Sequence, residues 1–572
     1  MKSAKGTIRR RAVRAVAALA AMAMPLATAA CSDAPSPSDP TSGGATASLG
    51  AVALFTPSDG ITLSQNTPLN KWAALTKDIQ SSLKDRAEQA GIDYDASAVK
   101  VTASSDLAAQ SQAVQDYVVG RLNDSSASPS PSTGSSSPTQ SPAQASGVSS
   151  TTIVVAPVTD PDAVTRQYGD YVRQDLTWDD GAGAGQSNTD GSASGAATSG
   201  DASSAGGSAT DSPSPSETAD SATASTTSDE TREAGERLVA ALRLARDSGM
   251  HVVLLSGQVQ GFTPDLFVQF GTAELIGRVQ AEQLVRKLEL DTASRDNPKC
   301  IEVMIPFIAT RKDGSAVDTT FAAEAFRGIW DVLGPYFVDG RAVSPSHYLS
   351  SASTADDWRA VVFDPSKTDG GKSEITQRLR TDDGSHRRID GVLAMNDAVA
   401  ARVVAALTDM GYTGSSADIN PEITISGIVG NLAGKVDVQR GKVPDPRVAP
   451  TETPDDDSGS IHLPFVPDSS GDAAWPIVTG YGAYVNTIQQ IVNGKQWMTA
   501  LGDRKGTADT LAGAVMAMNS GDDVTRLDGV SESDYAGATV PTIMRDQLAV
   551  SASNLKGTLI DTGYVTSADA GL

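Results

Sequence analysis

The chain has 572 residues, 39% apolar and 20% charged, with a formal net charge of −24. At a soft prior of about 150 residues per domain it is too long for one small domain. Its acidity excludes nucleic acid as an electrostatic partner, because such a surface repels phosphates.

The first 14 residues hold six basic side chains and no acid, and Ala15 to Met24 is apolar. This is a targeting segment and not part of the fold. Leu26-Ala27-Thr28-Ala29-Ala30-Cys31, followed by Ser32-Asp33-Ala34-Pro35, resembles a bacterial lipoprotein signal. In that pattern Cys31 becomes the lipidated first residue of the mature chain, although a Leu is usual where Thr28 stands. The alternative is an ordinary secretory signal. If Cys31 carries a lipid, Cys300 has no partner, so neither a disulfide framework nor a Cys-based metal site is available. No other run reaches the roughly 18 apolar residues that span a bilayer. Residues 32–48 are Ser, Pro, Gly, Thr, Asp and Ala for the most part, a composition that makes a flexible tether.

Residues 50–58 read as a first strand, with Thr56, Ser58 and Asp59 at its carboxyl end. Trp72, Leu75, Ile79, Leu83, Ala87 and Ala90 recur at helical spacing up to Gly91. A strand over 99–102, a helix over 107–122 and a strand over 152–158 follow. Two tracts, 125–150 and 180–229, lack large apolar side chains and are expected to be disordered inserts. A helix over 230–248, strands over 251–256 and 267–270, and a helix over 271–290 continue the alternation. It then begins again: strand 300–308, helix 319–333, loop-flanking segments 356–364 and 374–381, and strands 423–428 and 476–480 around a Pro/Asp-rich loop, 441–474. The chain closes with a helix over 485–493, a strand over 497–501, a helix over 508–519, a strand-like run 541–550 and a short element over 555–562. Such alternation marks parallel sheets covered by helices.

The most informative unit is DGVLAMNDAVAARVVAALTDMG, residues 390–411. Gly391 to Met395 suits a strand buried on both faces. Val399, Val403, Leu407 and Met410 form a helical stripe stopped by Gly411. Asn396 and Asp397 stand between the two, where ligands are met in open α/β sheets. They can equally be a helix cap.

This unit, with WPIVTGYGAYVNTIQQIVNGKQWMTAL (475–501) and VPTIMRDQLAVSASNLKGTLIDTGYVT (540–566), resembles the final three strand–helix steps of sugar-type solute-binding proteins of ABC importers, in particular the xylose- and ribose-binding group. The resemblance implies a type I periplasmic-binding-protein fold: α/β, with two doubly wound parallel-sheet lobes joined by a multi-strand hinge and a ligand cleft between them. It implies a signal over 1–30, a tether over 31–48, lobe one over 49–271 plus 502–545, and lobe two over 272–501 plus 546–572. The lobes of such proteins close on their ligand by hinge bending. The usual sugar-fixing Asp-Arg pair is missing where the chain reads Leu255-Ser256-Gly257-Gln258, and Gly482 stands where an Asp is expected. The Asn of Asn396-Asp397 is retained. Arg311, in the preceding loop, is the candidate substitute for an Arg usual early in the first lobe-two helix.

The expected ligand-binding residues are therefore Asn396, Asp397, Tyr481, Ser256, Gln258, Trp72, Trp497 and Arg311. Trp72 shares the core stripe of its helix and packs there as readily as it would face a sugar. Trp497 is equally balanced between core and site. The implied partners are a small-molecule solute, most simply a carbohydrate, ABC permease subunits, and the outer face of the membrane through Cys31. The chain is expected to act as a monomer, without cofactor or metal.

An enzyme is disfavoured. His251, His347, His386 and His462 are scattered, Ser81-x-x-Lys84 lies on a helix whose stripe includes Leu83, and Gly480-x-Gly482 is too short for a dinucleotide fingerprint. A sensor feeding a membrane receptor and a surface adhesin are the remaining alternatives.

Overall fold

The computed structural model describes residues 49–59, 67–92, 94–126, 148–178, 218–310, 318–417, 474–568 and 570. Cys31, Arg311, the strand expected over 423–428 and nearly all of the 441–474 loop lie outside them.

The first lobe is built on seven strands. Their order across the sheet is β13 (Val530–Tyr535), β14 (Ala538–Met544), β5 (Leu266–Gln269), β4 (His251–Leu255), β3 (Thr151–Val155), β1 (Ala51–Pro57) and β2 (Val99–Ser104). All neighbours are parallel except the β13–β14 hairpin. Residues of β1 alternate between two cores, as a strand buried on both faces requires. Val52 and Leu54 pack with α1 (Trp72–Gln89) and α9 (Arg504–Ser520). Ala53 and Phe55 pack with α2 (Leu107–Ser126) and α3 (Thr218–Asp247). Helix α3 begins before the expected Glu230; residues 218–229 contain no Gly or Pro, so nothing in them breaks a helix.

The second lobe has a four-stranded parallel sheet ordered β11 (Ile477–Thr479), β10 (Gly391–Leu393), β6 (Lys299–Val303) and β8 (Ala342–Val343). The short parallel pair β7 (Ile305–Pro306) and β9 (Val362–Phe363) continues it. Helices α4 (Ala273–Leu288) and α5 (Thr320–Val338) cover one face, and α6 (Gly370–Leu379) and α7 (Asp397–Asp409) the other. Both sheets are thus doubly wound, and they are separate.

The chain passes between the sheets three times: after β5 into α4, after β12 (Met498–Gly502) into α9, and after β14 into β15 (Gln547–Ser551). β12 and β15 pair antiparallel, with Ala500 opposite Ala549. Around this ribbon a separate core gathers Leu501, Val550, Leu555 and Leu559 with Ile488 and Ile491 of α8 (Ile488–Val492). The run expected over 541–550 is two strands, interrupted where Arg545 and Asp546 cross from one lobe to the other.

Candidate functional site

Strands β1, β2, β3 and β4 end side by side, and a cavity of 950 Å3 opens at their carboxyl ends. Ser58, Asp59, Trp72, Asp106 and Ser256 line it from the first lobe, and Tyr484 from the second. This is the edge of an open parallel sheet at which ligands bind. Its volume lies at the upper end of the roughly 300–1,000 Å3 typical of small-molecule sites.

The charge in this cavity is mostly acidic: Asp59, Asp106, Asp160, Asp170 and Asp175 against Lys71 and Arg166. Asp170 is paired with Lys71 at 3.0 Å, and Asp160 with Arg166 at 2.6 Å. Asp59 has no ion pair among the described residues. Its Oδ2 accepts the N–H of Ala73 in the first turn of α1 at 3.0 Å, while its Oδ1 has no hydrogen-bond partner among the described residues. Burial, reinforced by the nearby Asp170 carboxylate, pushes the Asp59 carboxyl up to about 6. Asp59 therefore lines the cavity with a half-buried carboxylate, one oxygen of which no described residue uses. Asp106 is held below the usual carboxylate range by hydrogen bonds, first from the N–H of Ala109 and then from Ser105.

One wall of the cavity is a segment that the sequence pattern did not mark. After β3 the chain runs through 157–178 across the junction of the lobes. Asp162 holds the entry to the turn Thr165–Tyr168, accepting from the N–H of Val164 at 2.8 Å and from Thr165 Oγ1 at 2.6 Å. Val164, Tyr168 and Val172 then join the core of the second lobe. The Tyr168 ring, 1% exposed, lies 4.7 Å from that of Phe321 and 6.3 Å from that of Tyr481. Tyr171 stays with the first lobe, edge-on to Trp72 at 4.9 Å, and its hydroxyl donates to the Lys71 carbonyl.

Asn396 and Asp397 occupy this junction but face different ways. Asn396 caps α7, its Oδ1 accepting from the N–H of Val399 at 2.9 Å, a contact worth about 1 kcal/mol. Its Nδ2 donates across the junction to Gln167 Oε1 at 3.1 Å. Asp397 is wholly enclosed. It accepts from Gln496 Nε2 at 2.7 Å, from the N–H of Tyr484 at 2.9 Å, and from the hydroxyls of Thr499 at 3.0 Å and Thr487 at 3.2 Å. Burial pushes its carboxyl upward, opposed by these donors. These four donors come from the turn after β11 and from the segment entering β12, so Asp397 ties the two to α7.

The other expected residues divide in the same way. Ser256 lines the cavity in a left-handed conformation (φ 71°), and its hydroxyl donates to the Tyr171 carbonyl at 2.9 Å. Met395 and Ala483, also near the junction, are left-handed too. Gln258 is held by the crossing segment, its N–H donating to Asp175 Oδ1 at 2.8 Å and its carbonyl accepting from Leu176 at 2.7 Å. Trp72 belongs to the first-lobe core and also borders the cavity. Tyr481 is buried and donates to Gln547 Oε1 at 2.7 Å. Trp497 packs in the second-lobe core beneath the Lys287 ammonium and does not line the cavity. A residue that the pattern passed over is Gln280, on the buried face of α4, which donates to the Met395 carbonyl at 2.8 Å and accepts from Thr479 at 2.9 Å.

No family model matches the chain. A curated relative, the multiple sugar-binding periplasmic protein SbpA of Azospirillum brasilense, is 23% identical over 336 residues, 58% of this chain and 72% of the relative. Among solved structures, a solute-binding protein of an ABC transporter from Clostridium phytofermentans with bound β-D-glucose is 16% identical. It aligns over 91% of this chain and 99% of its own, with a TM-score of 0.43. A carbohydrate transporter solute-binding protein from Chloroflexus aurantiacus in complex with D-glucose is 14% identical over 91% and 97%, with a TM-score of 0.41. The chain is similar to sugar-binding proteins of the solute-binding, ABC-transporter type.

Proposed function

We propose that this chain is an exported solute-binding lipoprotein that captures a neutral sugar or comparable polyol beside its lobe junction and hands it to an ABC permease. The observation that carries the reading is the cavity at the carboxyl ends of β1 to β4, lined by the half-buried Asp59 carboxylate, whose Oδ1 has no partner among the described residues. A carboxylate oxygen only accepts, and a hydroxyl is the donor that a polyol supplies. An acid-rich lining favours such donors and disfavours phosphates and carboxylates. Trp72 adds an aromatic border to the same cavity. In this reading Asn396, Ser256 and Tyr481 shape the junction that closes over the solute, and Asp397 positions the hinge. Support also comes from SbpA, named as a sugar-binding periplasmic protein. The lipid at Cys31, the action as a monomer and the delivery to a permease belong to the same proposal.

Thermal melting of the purified chain across a panel of neutral monosaccharides, oligosaccharides and polyols tests it. A solute at a hundredfold excess over its Kd stabilises the folded state by about 2.7 kcal/mol. A panel that moves the melting temperature nowhere refutes the reading.

A further inference from the structure

The segment after β3 touches both lobes in the way that a captured solute would. On the second-lobe side Gln167 offers two acceptor oxygens. Its Oε1 takes the Asn396 side-chain N–H at 3.1 Å, and its carbonyl takes the Tyr484 hydroxyl at 2.7 Å. The adjoining Tyr168 ring fills the apolar space between Phe321 and Tyr481. On the first-lobe side Asp170 accepts from Lys71 Nζ at 3.0 Å and from the N–H of Trp72 at 3.2 Å, and its own N–H donates to the Asn70 carbonyl at 3.1 Å. The Tyr171 carbonyl receives the Ser256 hydroxyl. Acceptor oxygens beside an apolar ring are what a sugar presents with its hydroxyls and C–H face. The donors that could grip a solute from the second lobe, Asn396 and Tyr484, are already spent on this segment.

From this juxtaposition we propose that residues 167–171 are an internal ligand. They bridge the lobes when no solute is bound and must leave Asn396 and Tyr484 before a solute can be gripped from both sides. The inference rests on the capture of a neutral sugar or polyol proposed above. A site whose competent form is only partly populated binds with an apparent Kd raised by that fraction. Weakening the hold of 167–171 on the second lobe therefore tightens binding, whereas removing a group that touches the solute loosens it.

The test uses the full chain and its Gln167→Ala and Tyr168→Ala variants, titrated with D-glucose, D-xylose, D-ribose and myo-inositol. Gln167 is only half-buried, so its variant keeps the test open if Tyr168→Ala fails to fold. A solute that binds the native chain is expected to bind Gln167→Ala with a Kd about tenfold lower. Hydrogen exchange at 167–172 of the native chain is expected to accelerate when that solute saturates it. A native chain that binds while the variant binds no better, or exchange that stays the same or slows, overturns the internal ligand and leaves the capture reading intact. Failure of the native chain and both variants to bind any of the four overturns both.

Discussion

Thr499 on β12 donates its hydroxyl to the Asp397 carboxylate at 3.0 Å, tying the first turn of α7 to one of the strands that joins the lobes. The same carboxylate collects Gln496, Tyr484 and Thr487. Removing the acceptor strands several buried donors at about 1–3 kcal/mol each. Asp397→Ala is therefore expected to cost at least about 3 kcal/mol in urea unfolding. Asp397→Asn keeps one acceptor oxygen and should fall between the two. A loss of under about 1 kcal/mol for Asp397→Ala would remove its anchoring role.

Asp59 gives stability a pH dependence of definite sign. Its folded carboxyl titrates near 6 because of burial, above an unfolded value of about 3.9. The folded state then holds the proton more tightly, so the contribution of Asp59 is complete below the unfolded value and is lost as pH rises through about 6. Urea unfolding at several pH values between about 4 and 7 is expected to show native stability falling relative to Asp59→Asn over that window. Parallel profiles for the two proteins would contradict the assignment.

Glu302 and Arg378 form a buried pair, 3.3 Å apart and almost without exposure. Ser344 and Ser346 donate to the carboxylate, and the guanidinium also donates to Glu374 at 2.8 Å and to the carbonyls of Val303 and Val361. Breaking one side of such a pair costs about 3–5 kcal/mol. Arg378 keeps Glu374 when Glu302 is removed, so Glu302→Ala is expected to cost about 3 kcal/mol, the lower end of that range, in chemical denaturation. Replacing both residues with apolar side chains should cost less than removing Glu302 alone.

Gly257 lets the crossing segment lie against β4. A Cβ at that position would overlap the Gln174 carbonyl, a backbone group that cannot swing aside. Gly257→Ala is expected to lift residues 173–176 away and to expose the bond after Arg173 to trypsin. Cleavage there at the native rate would show that the segment does not depend on this contact.

Much of the fold was legible because a doubly wound sheet writes a strong pattern. Helix stripes such as Leu75, Ile79 and Leu83, and apolar runs such as Val252 to Leu255, each bury completely. The cap at Asn396 was legible for the same local reason. The junction was less so, because its partners are remote in sequence. Asp397 looked like a site residue from its place after a strand, but Thr487, Gln496 and Thr499, some hundred positions on, enclose it. Asp59 stood at a strand end by the same rule, and only tertiary burial separates it from Ser58 beside it. The segment 157–178 has neither helical nor strand periodicity. Its one signal was a cluster of large side chains, Tyr168, Tyr171, Val172, Leu176 and Trp178, before a tract that has none.

The central claim is that the cavity at the ends of β1 to β4 holds a neutral polyhydroxylated solute against Asp59. Titration calorimetry of the native chain and Asp59→Ala with a solute identified by melting tests it most directly. The expected result is one site per chain, with affinity at least about tenfold weaker in Asp59→Ala, as the loss of a hydrogen bond to a charged group implies. Equal affinity in the two proteins, or no saturable heat from a folded native chain with any neutral sugar or polyol, would contradict it.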